Sequence, residues 1–186
     1  MNDDRNVKAL VLYESFFGNT ESIARAVASG LRLEDFSAVA LDVADVPDVD
    51  LSEYDLLVVG GPTHAFALSR PATRDDAVAR GGDDRYSARG LREWLSALPV
   101  QDGIHLAATF DTRVSHVRHL PASAARSAAN LLRRRRFTLM ARPTGFIVQD
   151  VEGPLDQREM ERAISWGRSL ARQTQDRIAA RRSLPA

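Results

Sequence analysis

Residues 13–24 read YESFFGNTESIA. The run before them, VKALVLY (7–13), is apolar, carries β-branched and aromatic members and is bounded by polar residues. Such a run predicts a strand covered on both faces. From Thr20 the spacing changes, and Ile23, Val27 and Leu31, with Ala24 and Ala28 beside them, form one stripe at helical period. Ser15 to Thr20 therefore join a buried strand to the first turn of a helix, and no lysine stands among them. A helix N-terminus carries unpaired N–H groups and about half a positive charge, so it attracts an anion. Gly18 lets the backbone approach closely, and the hydroxyls of Ser15 and Thr20 with the amide of Asn19 add short donors. A phosphate can be held there by neutral groups alone. The other reading is a capped turn, with Asn19 as N-cap and Gly18 relieving strain. The loop taken by itself leaves both open.

Working outward, Phe36–Asp42 predicts a second strand and VPDVDLSEY (46–54) a turn-rich connection with room for a short helix. DLLVVGGP (55–62) is the most strand-like run of the chain. Residues 62–87 read as a long polar connection without periodicity. Leu91, Trp94, Leu95 and Leu98 restore helical spacing, which Pro99 stops. Ile104–Phe110 predicts a fourth strand, and a helix follows from about Ser123, with Ala125, Ala128 and Leu132 inward and Arg133–Arg136 at its end. Thr138–Val148 predicts a fifth strand bent near Pro143. A long helix closes the chain, with Asp156 and Glu159 as a capping box and Met160, Ala163, Ile164, Gly167, Leu170 and Ala171 as its core stripe. The end of the chain, from about Ala180, is expected to fray.

Strand and helix alternate five times, which predicts an α/β fold: a three-layer, doubly wound, five-stranded parallel sheet. Right-handed crossovers leave few strand orders. In the order 2-1-3-4-5 a ligand belongs outside the carboxyl ends of the strands, at the loops after strands one, three and four. The 186 residues predict one domain, 1–186, with its core at about 7–171.

Composition narrows the function classes. The formal net charge is zero, against both a general nucleic-acid binder and a carrier steered by a strong field of its own. Of the twenty-five basic residues only Lys8 is a lysine, a bias assigned to genome composition. The absence of cysteine removes disulfides, thiolate nucleophiles and Cys-ligated metal sites. The N-terminal apolar run is too short for a signal peptide or a membrane span, so a cytoplasmic protein without membrane or nucleic-acid partners is expected.

Among phosphate motifs, no glycine precedes a lysine, so there is no P-loop; G-x-G-x-x-G and G-x-S-x-G are absent too. What VLYESFFGNTESIARAV does resemble is the FMN-binding signature of the flavodoxin family: apolar pair, aromatic, any residue, Ser/Thr, two positions, Gly, any residue, Thr, three positions, Ala. With the element order, the similarity runs over about Val7–Leu170. The resemblance implies that Ser15, Phe16, Phe17, Gly18, Asn19 and Thr20 wrap the FMN phosphate. GGPTHAF is similar to the P-T-x-x loop of flavodoxin-like quinone reductases. That implies Pro62, Thr63, His64, Ala65 and Phe66 along the ring, although relatives carry Trp, Tyr or Gly where this chain has His64, Ala65 and Phe66. After strand four, Thr109, Phe110, Asp111 and Thr112 fall where relatives hold the pyrimidine side. Arg113 either offsets charge on reduced flavin or is a surface charge paired with Asp111.

Four histidines with no carboxylate pattern nearby are read as solvated or hydrogen-bonded and not as a metal site, His116 and His119 included. Arg133–Arg136 complement a helix C-terminus, and Trp94 and Trp166 are core. The family likeness implies an FMN-binding redox protein: an electron carrier with a partner protein, or a small NAD(P)H-dependent quinone or flavin oxidoreductase with a small-molecule acceptor, as monomer or homodimer. The alternative is a flavodoxin-fold binding or regulatory domain that holds no FMN. A receiver domain is excluded, because the acidic pair it needs after strand one is replaced by ESFFGNT.

Overall fold

The apolar runs pair as parallel strands in the computed structural model, which describes residues 6–46, 49–86, 89–115 and 122–183. β1 (Lys8–Tyr13) lies between β2 (Ser37–Asp42) and β3 (Leu56–Pro62), with Val11 opposite Ala40 and Val58. β4 (His105–Val114) follows β3, Val58 opposite Ala108, and the order is β2-β1-β3-β4-β5, as expected. β5 is Phe137–Leu139, and a sixth strand, β6 (Thr144–Val148), also pairs with β4.

Alternation along the strands sends side chains to two cores. Ala9, Val11, Leu56, Val58, Leu106 and Ala108 face α1 (Asn19–Arg32) and α5 (Gln157–Arg182). Leu10, Leu12, Leu57, Val59 and Ala107 face α3 (Leu91–Ala97) and α4 (Ala124–Arg134). Trp94 is buried in the second core, and Trp166 packs half-buried against the first. α1 and α5 cross with their backbones touching: a Cβ on Gly30 would stand 2.1 Å from Ile164 O, and one on Gly167 2.3 Å from Val27 O.

Several expectations are corrected. The single bent fifth strand is two short strands in line, His105 opposite Phe137 and Phe110 opposite Thr144, broken around Arg142 and Pro143. Proline has no N–H for a ladder, so the strand stops and restarts. β4 runs on to Val114 instead of ending at Phe110. The connection over 62–87 contains a helix, α2 (Pro71–Ala79), and a 3-10 turn at Asp84–Tyr86. α2 buries only Arg74 and Ala77, so it has no apolar stripe to read. Its start is written locally instead, in Pro71 at the first turn and in Thr73, whose Oγ1 accepts from Arg70 N–H at 2.9 Å. Another 3-10 turn covers Leu51–Glu53. α5 is helical to Arg182. Thr174 is buried, and Gln175 Nε2 donates to Glu34 O at 3.0 Å, so packing holds the helix beyond its apolar stripe. The capping box is only half made. Asp156 Oδ1 accepts from Arg158 N–H, while Glu159 Oε2 accepts from Ile147 N–H at 2.9 Å and ties α5 to β6. Among the described residues no helix is long and apolar enough to cross a membrane.

Candidate functional site

At the carboxyl end of β1 the chain turns into α1 through Gly18, which is the N-cap at φ 80° and makes no side-chain cap. Asn19 is the first helical residue, so the capped turn with Asn19 as N-cap is not formed. Nothing would touch a Cβ on Gly18, so glycine is required there by backbone angle and not by crowding. Ser15 Oγ accepts from Glu21 N–H at 3.2 Å and Ser22 N–H reaches Gly18 O. The N–H groups of Phe16, Phe17, Gly18, Asn19 and Thr20 have no acceptor among the described residues. Five consecutive open donors at a helix start form a nest for an anion.

The loop is pinned from beneath. Ser15 N–H donates to Tyr86 Oη at 3.0 Å, and Tyr86 O–H donates to Asp42 Oδ2 at 2.5 Å. Asp42 also accepts from Ala44 N–H and Arg85. Burial pushes both the Asp42 carboxyl and the Tyr86 phenol above their ordinary values, Tyr86 further still because its proton is held by Asp42. The Phe16 ring lies 4.9 Å from Tyr86 and 5.2 Å from His64, and Asp83 N–H donates to Phe16 O. The segment after α2 therefore clamps the first loop, an arrangement no local sequence signal announces.

Glu14, just before the loop, is wholly buried. Its Oε2 accepts from Leu91 N–H at 2.6 Å, its Oε1 makes no hydrogen bond of normal geometry among the described residues, and burial raises its pKa. Gly90 is required beside it, since a Cβ there would stand 2.3 Å from Oε2. Arg74, equally buried, donates to Ser69 and Glu93. This polar cluster joins β1, α2 and α3 under the site.

After β3, Thr63 N–H donates to Thr112 O, and Thr63 Oγ1 caps α4 by accepting from Ala124 N–H at 3.0 Å. His64 and Ala67 exchange both backbone hydrogen bonds, closing a two-residue turn in which Ala65 (φ 44°) and Phe66 (φ 65°) are both left-handed. Asn-Gly is the usual occupant of such a turn, and non-glycine residues there cost about 1–2 kcal/mol each. Phe66 is 49% exposed, off the cavity wall. Burial lowers the His64 pKa, so its ring is neutral at pH 7.

β4 supplies the third edge. Thr109, Phe110 and Asp111 lie beneath the site and are buried. Phe110 fits under Gly60, where a Cβ would come within 2.0 Å of its ring. Thr112 Oγ1 meets Thr20 Oγ1 at 2.8 Å and ties the third loop to α1. Asp111 binds Arg113 through Nε at 2.6 Å and Nη2 at 2.7 Å, and also accepts from Ala125 N–H at 3.0 Å. The expected pair exists, but it is no surface pair: Asp111 is inaccessible and the Arg113 side chain is 11% exposed.

These edges surround a cavity of about 310 Å³, within the size range of small-molecule sites. Its walls include Ser15, Phe16, Phe17, Asn19 and Thr20, then Pro62, Thr63, His64 and Ala65, and finally Thr112 and Arg113. Gly18, Phe66, Thr109, Phe110 and Asp111 are not on the wall. The sequence reading missed Thr73, Asp76, Ala77 and Arg80 of the α2 segment, and also Val114, Val148 and Val151. A phosphate-bearing planar ligand fits what is present: open N–H donors at one edge, apolar walls and two guanidinium groups, those of Arg80 and Arg113. His105 is tied to Asp102 O at the far end of β4, His116 and His119 lie outside the described residues, and no metal-ligand cluster occurs among the described ones.

Residues 11–69 match the family model described as flavodoxin. The fold is similar to an archaeal flavodoxin (TM-score 0.63, 19% identity, 91% of this chain and 99% of that one). It is similar as well to a short-chain flavodoxin associated with a bacterial microcompartment (0.62, 13%, 90% and 99%) and to oxidised flavodoxin 2 from Bacillus cereus (0.58, 18%, 90% and 99%). The chain is flavodoxin-like, in sequence over its first third and in fold over about nine-tenths of its length.

Proposed function

We propose that this flavodoxin-like chain holds FMN and passes electrons through it. It serves either as a carrier to a redox partner protein or as a small flavin-dependent oxidoreductase with a small-molecule acceptor. The observation that carries the reading is the row of five N–H groups, Phe16 to Thr20, that have no acceptor among the described residues, at the start of α1 on the rim of the cavity. FMN supplies the redox chemistry when bound, and the protein supplies position and electrostatics. Ser15 to Thr20 hold the phosphate. Pro62 to Ala65 and Thr112 to Arg113 flank the ring, while Thr109, Phe110 and Asp111 support that wall from below. Phe66, exposed beside the mouth, is free to meet the ring or an incoming partner.

Fluorescence titration of the purified chain with FMN and with riboflavin tests this. FMN binds at micromolar concentration or tighter and riboflavin binds more weakly. Thr20→Ala weakens FMN on the order of tenfold, as for a lost hydrogen bond to a charged group, and leaves riboflavin unchanged. Failure to bind either flavin refutes the reading in favour of a fold used without FMN. Equal losses for both flavins refute the phosphate assignment alone. Mixing the holoprotein with NADPH or NADH separates the two roles: direct bleaching of the flavin marks the oxidoreductase, and its absence the carrier.

A further inference from the structure

The first loop supplies donors but no cation: Ser15 to Thr20 are all uncharged. A phosphate monoester carries about 1.5 to 2 negative charges at pH 7, and a helix start offsets about half of one, so roughly 1 to 1.5 charges stay unmatched. Two guanidinium groups lie on the cavity wall, and they differ in what already holds them. Arg113 is neutralised by Asp111 through Nε and Nη2 and is covered on one face by Gly145, where a Cβ would stand 2.7 Å from Nε. Arg80 is exposed and makes no ion pair or side-chain hydrogen bond among the described residues. Its backbone is nevertheless fixed from both sides. Upstream, buried Arg74 anchors α2 on Ser69 and Glu93. Downstream, Gly81 at φ 87° turns the chain, and the next two residues lie against the first loop. A Cβ on Gly82 would stand 3.1 Å from Phe16 Cβ, and Asp83 N–H donates to Phe16 O at 3.0 Å. Phe16 begins the row of N–H groups without an acceptor, so the fold sets an unpaired cation beside donors that lack one. Asp76, the one carboxylate residue on the wall among the described residues, stands a turn earlier in α2 and acts on the charge of the His64 ring.

We propose that Arg80 completes the phosphate site from α2, closing on the phosphate beside the N–H row, and that it sets the preference of this chain for FMN over riboflavin; this rests on the FMN reading above. The planar guanidinium meets two phosphate oxygens at once, which an ammonium does not. Because the helix end is already pinned, only one side chain has to be ordered on binding. The cation that the first loop lacks thus comes from a helix sixty residues further along the chain, and it acts on the phosphate and not on the ring.

The test compares the dissociation constants of FMN and riboflavin, by fluorescence titration, for wild type, Arg80→Gln and Arg80→Lys. Arg80→Gln weakens FMN on the order of tenfold and leaves riboflavin unchanged, which also shows that the variant folds with its ring site intact. Arg80→Lys keeps the charge without the fork and falls between the two. Raising salt from about 0.01 to about 1 M shortens the screening length from about 30 to about 3 Å, and it weakens FMN more on wild type than on Arg80→Gln. Inorganic phosphate gives a readout free of flavin: it raises the melting temperature of the flavin-free wild type and not that of Arg80→Gln. An FMN-to-riboflavin ratio that Arg80→Gln leaves unchanged overturns the inference while the FMN reading stands. Phosphate binding through Arg80 in a chain that takes up no FMN keeps the anion site and overturns the flavin. A wild-type chain that responds to neither FMN nor phosphate overturns both.

Discussion

Tyr86→Phe isolates one hydroxyl that couples the fold to the first loop. The ring stays, with its 4.9 Å contact to Phe16, so no cavity opens. Two hydrogen bonds go: the one accepted from Ser15 N–H and the one donated to Asp42. Asp42 retains Ala44 N–H and Arg85, so its loss is that of one bond to a charged group, at the low end of about 1.5–3 kcal/mol. Ser15 N–H is left buried without an acceptor, which costs roughly 1–3 kcal/mol. The sum is about 2.5–4.5 kcal/mol. At about 2–4 °C per kcal/mol for a domain of this size, the melting temperature falls by roughly 5–18 °C. Circular dichroism melts measure it, and urea titration with an unchanged m-value shows that only stability has moved. FMN affinity falls in parallel, because the strut under the open N–H row has been cut. A melting temperature within 1–2 °C of wild type would refute the claim that the Asp42–Tyr86–Ser15 chain holds the loop.

Gly167→Ala places a methyl 2.3 Å from Val27 O and forces α1 and α5 apart by ~1 Å. Overpacking of about 1–3 kcal/mol exceeds the gain in helix propensity, so thermal unfolding moves down by several degrees; a rise would contradict the close crossing. Glu34 is held at about pKa 2, first by its hydrogen bonds to Arg172 and Arg168. Because this folded-state value lies below the unfolded one, the contribution is present above the ordinary carboxylate range and is lost as pH falls towards 2. Glu34→Gln therefore flattens the acid limb of the stability curve, and an unchanged slope below pH 4 would exclude the pairing.

Much of this molecule is legible in one dimension. The buried runs at 8–13 and 56–62, the stripe Ile23–Val27–Leu31 and the stop at Pro99 are local patterns of period and punctuation, and they mark the elements; the order 2-1-3-4-5 needed the family resemblance as well. The anion nest is legible for the same reason, since Ser15 to Thr20 are contiguous. α2 was hidden because a helix that packs only Arg74 and Ala77 leaves no periodic trace, and the split of the last strand was hidden because both halves are strand-like.

What the chain alone determined is therefore whatever neighbouring residues decide between themselves: which segments are strands or helices, and that the first helix begins with donors and no cation. Tertiary structure decided everything that depends on residues far apart in the chain. It placed Tyr86 beneath Ser15, seventy-one residues away, and turned Phe66 outward. It also buried Asp111 and brought Gly145 against the Arg113 guanidinium. Such pairs are selected by packing and by the need to satisfy buried charge, and both exist only once the sheet has closed on its helices.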